Sequence, residues 1–512
     1  MRRLLDGIGS TFMPLLGIDV GTSGTRALIV ANDGRMLGSG ACDHTPFTSP
    51  QPGWAEQSPE DWWRATQVAV HAALAAARLD ARRIAAIGLS GQMHGAVLLD
   101  AAMQVIRPAI IWCDQRTEAE CEWLNSTIGA ESLLSHTCNS ALTNFTLTKL
   151  LWVRTHEPEA WQRVSHVLLP KDYVRLCLSG SLAMDVTDAS GTLMFDVARR
   201  RWSREILAAT QIDPTLLPQA FESADVCGHV SEEGASVSGL VQGTPIVAGA
   251  GDQAAGATGI GVVRPGVVSA TIGTSGVVFA ATDRPAMDPK GRLHTFCHAA
   301  PHRWHLMGVT QAAGLSLRWL RDQLGAPEGG YDSMVAEAAR APAGADGVLW
   351  APYLMGERTP HLDPDVRAAL VGLVASHHRG HIIRAVLEGV AFSLRETLTI
   401  FAELDVPVSS IRLGGGGAKS ALWRQIQADV YGRAVETVLV DEGAAFGAAV
   451  LAGIGAGIWR DIDDAADRLI RTAVAASPDP ETVCVMNERY AAYCRLYPAL
   501  RALDAQTSFV SN

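Results

Sequence analysis

The sequence predicts a two-domain α/β protein, and three observations carry that prediction. Residues 15–30, LLGIDVGTSGTRALIV, set a Gly-Thr-Ser-Gly turn between two apolar runs, and residues 267–280, VVSATIGTSGVVFA, repeat the plan. The same unit near the start of each half of a chain is the mark of an internal duplication. Buried strands near 84–91, 244–251 and 411–414 then run out into glycine-flanked polar residues, where α/β sheets present ligand contacts. Finally, 512 residues are too many for one ordinary core. The division falls near 256–265, with Arg264-Pro265-Gly266 as its punctuation. It gives an extension at 1–12, expected to be disordered, an N-terminal domain at 13–258 and a C-terminal domain at 259–512.

Composition narrows the class. The chain is 48% hydrophobic and 19% charged, as a globular protein is. Its net charge of −11 argues against nucleic acid as a partner, though loops and helix N-termini can still take small anions. Nine scattered cysteines without a Cys-x-x-Cys suit a reduced, cytoplasmic protein and neither a disulfide scaffold nor a zinc site. No apolar run reaches transmembrane length, so no membrane partner is expected.

The first hairpin leads through Asp33-Gly34, a tight-turn dipeptide, into a small antiparallel meander. A helix follows from Pro59 to about Leu79, with Ser58 as N-cap, Asp61 completing a capping box, and Trp62, Val68 and Leu74 on its apolar face. The strand near 84–91 ends in Gly91-Gln92-Met93-His94-Gly95. His94 is there either a satisfied core histidine or a ligand contact. Asp114 and Arg116 mark another polar strand end, helices are expected near 117–124 and from Thr148, and a strand leads into a helix near 167–173.

Residues 244–257, TPIVAGAGDQAAGA, read as a short strand, a glycine turn and a small-residue helix. Asp252 can be a general base in such a crevice or the cap of the helix, and the two roles are compatible. In the second half, a strand and loop at 348–361 precede a long helix at 380–401. Residues 411–420, IRLGGGGAKS, nearly spell a phosphate-binding P-loop, but Ala418 stands where its glycine is required, so that reading is rejected. The four glycines still permit close approach by a nucleotide. Residues 441–453 form a small-residue helix suited to tight packing. A Gly-Thr-Ser tip can offer backbone N–H groups and hydroxyls to a phosphate, and Asp19 can face a cation; taken alone, each hairpin is equally a plain tight turn.

Together with PGWAEQSPEDWW, SGQMHGAVLLD, LLPKDYVRL, DASGTLMFDV, GERTPH and LGGGGAKSALWRQIQAD, these motifs resemble the FGGY carbohydrate kinases from about Met13 to the last helices. The resemblance implies two RNase H-like (actin/Hsp70-type ATPase) domains with a deep interdomain cleft, sugar held by the first and ATP by the second. Carried over by motif, Asp252 is the catalytic base toward a sugar C5 hydroxyl. Met93, His94, Asp252 and Gln253 contact the sugar, and Asp19 orients Mg²⁺, through water. Thr22 and Ser23 face the phosphates from one domain, Gly273, Thr274 and Ser275 from the other, and Gly415, Gly416 and Gly417 line the adenosine. The expected pattern before the helix is Gly-Gly-Gly-Asp-Asn, and Gln253 departs from it by one methylene. The Gln-Met-His-Gly element is similar to that of members acting on D-xylulose; ribulose, fuculose or glycerol kinases are the alternatives. An ATP-driven filament or chaperone on the same fold would have no use for Asp252 beside that element. A homodimer stays open.

Overall fold

The structure, a computed structural model, describes residues 13–325, 330–439 and 442–504. The expected extension at 1–12 lies outside the described residues. Elements that position the site are β1 (Leu15–Val20), β2 (Gly24–Val30), β3 (Met36–Asp43), α1 (Pro59–Ala77), β4 (Ala86–Gly91), α2 (Pro170–Ser179), β5 (Val226–His229), β6 (Pro245–Val247) and α3 (Asp252–Gly259). The second half supplies β7 (Gly266–Ile272), β8 (Gly276–Thr282), β9 (His294–Cys297), β10 (Trp304–Thr310), α4 (Gly314–Leu324), α5 (Arg379–Glu403), β11 (Val408–Gly415), α6 (Ala421–Tyr431), β12 (Val435–Val438), α7 (Gly443–Gly455) and β13 (Thr472–Ala476).

Two mixed sheets organise the chain. The first runs β5-β6-β4-β1-β2-β3, with a short strand at Ala250–Gly251 added beside β4. The second runs β9-β10-β8-β7-β11-β12-β13. The correspondence is close: β1 pairs antiparallel with β2 and parallel with β4, and β7 pairs antiparallel with β8 and parallel with β11. Each hairpin is extended by an antiparallel strand, β3 or β10. β1 and β4 are buried nearly throughout, as central strands covered on both faces must be.

Local details depart from expectation at two places. Ser58 holds the N-cap position of α1, but its side chain makes no cap hydrogen bond. Its hydroxyl donates instead to Glu60 (2.6 Å), and Asp61 accepts from the Thr45 N–H (2.6 Å) and pairs with Arg64, so the capping box does not form. Val68, placed on the apolar face, is exposed, whereas Thr66 is buried with its hydroxyl donating to the Trp62 carbonyl (2.8 Å). The hydroxyl finds its acceptor within the helix, so the threonine can occupy the core side.

The small-residue helix α7 does pack tightly, and its neighbour is the N-terminal sheet. A Cβ on Gly17 of β1 would lie 1.9 Å from the Ala445 carbonyl oxygen, and one on Gly88 of β4 would lie 1.9 Å from that of Ala448. On the other side, a Cβ on Gly447 would stand 1.8 Å from the Ala255 carbonyl oxygen in α3. The helix from the C-terminal half is therefore wedged between a sheet and a helix of the N-terminal half, with Arg26 of β2 paired to Glu442 at its start. Because the obstacles are backbone atoms, Gly88→Ala can be accommodated only by shifting α7, at an expected cost of about 3 kcal/mol. Calorimetric melting checks this; an unchanged melting temperature would mean that the contact is not made. Among the described residues no helix is long and apolar enough to cross a membrane.

Candidate active site

Two carboxylates sit where the first sheet ends. Asp19 of β1 lies in register with Ser90 of β4, and Ser90 with Ala250 of the short strand, so one row crosses three strands. Asp252 opens α3 two residues beyond that row, with Gly251 and not Asp252 in the cap position. The aspartate therefore does not cap its helix. Gly249 makes this turn possible: its φ is +75° and a Cβ would lie 2.0 Å from the Leu89 carbonyl oxygen, a geometry closed to other residues.

Burial raises the pKa of Asp19 to about 6, with Ser90 and Arg26 only partly offsetting it. Its Oδ1 is buried and accepts no hydrogen bond, which leaves an oxygen free for a cation or its water. Asp252 is pushed up to about 7, first by burial and then by the charge of Asp19, against hydrogen bonds from Gln253. A carboxylate poised near neutrality is suited to take a proton. No cluster of three or more His, Cys, Asp or Glu converges for a metal among the described residues. Asp19 thus fits Mg²⁺, which is held by one or two carboxylates, phosphates and water.

The Gln-Met-His-Gly loop stands directly behind this pair. The Met93 Cγ would be 2.8 Å from a Cβ on Gly251, the residue before Asp252. His94 adopts φ +68°, and its Nδ1–H donates to the Gly191 carbonyl (2.7 Å). Its own carbonyl accepts from the fully buried Lys149 ammonium (3.0 Å) and the Thr146 hydroxyl (3.2 Å). Burial first and the Lys149 charge second lower the His94 pKa to about 3, so the imidazole is neutral.

A cavity of about 300 Å³ is lined by Asp252, Gln253, Thr271 and Gly415, and it is closed on one side by Gly443 and Ala444 of α7. A larger one, about 480 Å³, is lined by Gly273, Thr274, Gly416 and Gly417, with Tyr331 and Trp423 on its walls. The second hairpin tip is anchored there: the Gly314 and Leu315 N–H groups of α4 donate to the carbonyls of Gly273 (2.9 Å) and Thr274 (3.1 Å). Of the three glycines assigned to adenosine, only Gly416 could carry a Cβ without a clash, at an ordinary 3.7 Å from the Ile272 carbonyl oxygen. A Cβ on Gly415 would meet the Ile272 carbonyl oxygen at 2.4 Å, and one on Gly417 the Ile272 side chain at 2.7 Å.

Thr22, Ser23 and Ser275 line neither cavity. The Thr22 hydroxyl is already engaged, donating to Gln92 Oε1 (3.3 Å) and accepting from Trp112 Nε1 (2.9 Å). Ser23 is exposed at the tip. Residues that sequence reasoning did not single out include Lys149, Lys171, Asp185, Thr187 and Asp188. For the four charged ones the visible signal is charge set among apolar residues, as in LLPKDYVRL; Thr187 carries none.

Comparison with known proteins shows the family. The N-terminal domain of the FGGY family of carbohydrate kinases matches residues 14–259, and the C-terminal domain of that family matches 268–456. The chain is 37% identical to the xylulose kinase of Bacillus subtilis over 97% of its length and 99% of that protein. It is also 37% identical to the xylulose kinase of Escherichia coli, over 96% and 100%. The crystal structure described as a xyloylose kinase from Brucella ovis superposes with a TM-score of 0.89 at 37% identity, covering 96% of this chain and all of the other. Two family domains in sequence, a duplicated hairpin-bearing sheet and relatives matched over nearly their whole length lead to one conclusion: the chain belongs to the FGGY family of carbohydrate kinases.

Proposed function

We propose that the protein transfers the γ-phosphoryl group of ATP to the C5 hydroxyl of D-xylulose. The observation that carries this reading is Asp252, a buried carboxylate raised to about 7, set one residue past the Gly251 backbone that Met93 touches and opening on the cavity beside Gly415. Asp252 takes the C5 hydroxyl proton as that oxygen forms its bond to the γ-phosphorus. The bond from phosphorus to the β–γ bridging oxygen breaks, and ADP leaves with that oxygen. Met93, His94 and Gln253 hold the sugar, with the neutral imidazole of His94 presenting Nε2 once Nδ1–H is committed to Gly191. Gly273, Thr274, Gly416 and Gly417 receive the nucleotide, with Gly415 shaping the loop against Ile272. Asp19 would hold Mg²⁺, which when bound neutralises phosphate charge; phosphoryl transfer depends chiefly on such positioning and neutralisation. Thr22 and Ser23 join this site only if the Thr22 contacts to Gln92 and Trp112 rearrange. We place the boundary between sugar-binding and nucleotide-binding domains at 258/259, with α7 crossing back. Nine free thiols support a reducing compartment, the cytoplasm.

ADP production measured with D-xylulose, D-ribulose, D-xylose and glycerol tests the substrate. Turnover is expected to be fastest with D-xylulose. Faster turnover with another sugar reassigns the substrate within the family, and ADP release indifferent to every sugar would sink the reading altogether.

A further inference from the structure

A network of five charged side chains lies behind Asp252, entirely out of solvent. The Lys171 ammonium of α2 contacts Asp172 (2.7 Å), Asp185 (2.7 Å) and Asp188 (2.9 Å), and Arg175 contacts Asp172 (2.6 Å). Burying such a cluster carries a desolvation cost that its mutual attraction repays only in part, so it is weak evidence for stability. What it does instead is hold backbone. Arg175 Nη1 donates to the Ala248 carbonyl (2.8 Å), four residues before the base. The Asp185 carboxylate accepts from the Thr187 hydroxyl (2.5 Å), which in turn accepts from the Gly251 N–H (2.8 Å), one residue before the base.

The same segment reaches the sugar loop. Gly191, at the end of the short helix Val186–Ser190, accepts from His94 Nδ1 and donates its N–H to the Asp188 carbonyl (2.9 Å). Lys171 lies against the start of that loop, its Cβ 3.2 Å from where a Cβ on Gly91 would be. One end of a five-residue helix thus holds the residue before Asp252, the other holds the imidazole of His94, and both rest on Lys171.

We infer that Asp185–Gly191 is the positioning element that sets the separation between the sugar-contacting His94 and the base Asp252, with Thr187 as its decisive side chain. The inference rests on the reading of Asp252 as base. A base must meet its hydroxyl at hydrogen-bond distance, and displacement by about 1 Å costs on the order of 10²-fold in rate. Thr187 is well placed to control this, because its one hydroxyl proton and one lone pair link a fixed carboxylate to the backbone that carries the base.

The test compares the parent with Thr187→Val, Thr187→Ser and Asp252→Ala, measuring kcat, KM for ATP and for D-xylulose, and thermal melting. Thr187→Val keeps the shape and loses the hydroxyl; kcat is expected to fall about 10- to 10²-fold with KM for ATP and cooperative melting retained. Thr187→Ser restores the hydroxyl and, with it, turnover close to the parent's. Parent-like turnover in Thr187→Val overturns the inference. So does a loss of activity that Ser fails to rescue, or one that merely follows lost cooperative melting, since a purely structural role predicts those. Asp252→Ala separates the two readings: if it keeps parent turnover, the base assignment fails, whereas an inactive Asp252→Ala beside a normal Thr187→Val removes only the positioning element.

Discussion

Asp252→Ala lowers kcat by at least ~10²-fold, the scale of a lost general base, while binding of ATP and sugar stays close to that of the parent. The separation follows from the proposed role, in which Asp252 takes the hydroxyl proton, and from its place outside the lining of the cavity bounded by Gly273, Gly416 and Trp423. The pH profile gives an independent check. Burial, and then the charge of Asp19, hold the Asp252 carboxyl near 7, so in the free enzyme the base is half protonated at neutrality. Since only the carboxylate accepts a proton, kcat/KM falls about tenfold for each pH unit below that value and levels off above it. The alanine variant should lose this acid limb along with its rate. Near-normal turnover in Asp252→Ala, or a profile flat from pH 5 to 8 in the parent, removes Asp252 from the role.

What the sequence revealed and what it hid divide along contact range. Both Gly-Thr-Ser hairpins were readable because apolar run, turn and apolar run are local patterns, and their repetition pointed to an internal duplication; the strand order around each hairpin came only with the structure. The glycines around Asp252 were readable as close approach, and Gly249 and Gly251 do bring backbone against Leu89 and Met93. Range explains the rest. Thr22 is engaged by Gln92 from 70 positions away, the His94 carbonyl by Lys149 from 55, and the Gly251 N–H by Thr187 from 64. No periodicity announces such pairs. Local composition also misled where a tertiary partner decided the outcome. Ser58 turned to Glu60 in place of its cap. The role of α7 was half legible: its small residues signalled tight packing, but the sheet it packs on belongs to the other half of the chain.

Acid should unfold this protein from the interface between its halves. Four histidines, His94 from the first half and His294, His298 and His305 from β9, β10 and the link between them, are buried around Phe145, Phe279 and Phe296. Burial is the leading cause of a lowered pKa in each. Lys149 and Arg358 add to it at His94, Arg358 and His94 at His294, Arg303 and Arg200 at His298, and His298 and His294 at His305. His94 is lowered to about 3 and His298 to about 4. Unfolded, all four would titrate near 6.5. Above that pH neither state binds the protons and stability is unaffected; between 6.5 and the folded values only the unfolded chain binds them, so stability falls as pH falls. At pH 5 an imidazole that stays neutral costs about 2 kcal/mol, so His94 and His298 alone remove a sizeable part of a typical domain's stability. Melting temperature is therefore expected to hold near pH 7 to 8 and to drop steeply below 6. His305→Phe isolates the effect. That ring stacks on Phe279 with centroids 4.3 Å apart, and its only polar help is a weak contact with the Cys297 backbone that partly offsets burial, so phenylalanine keeps the packing and removes one titrating group. The variant should melt as high as the parent at pH 7.5 and higher at pH 5; equal acid sensitivity in the two would show that His305 does not contribute to it.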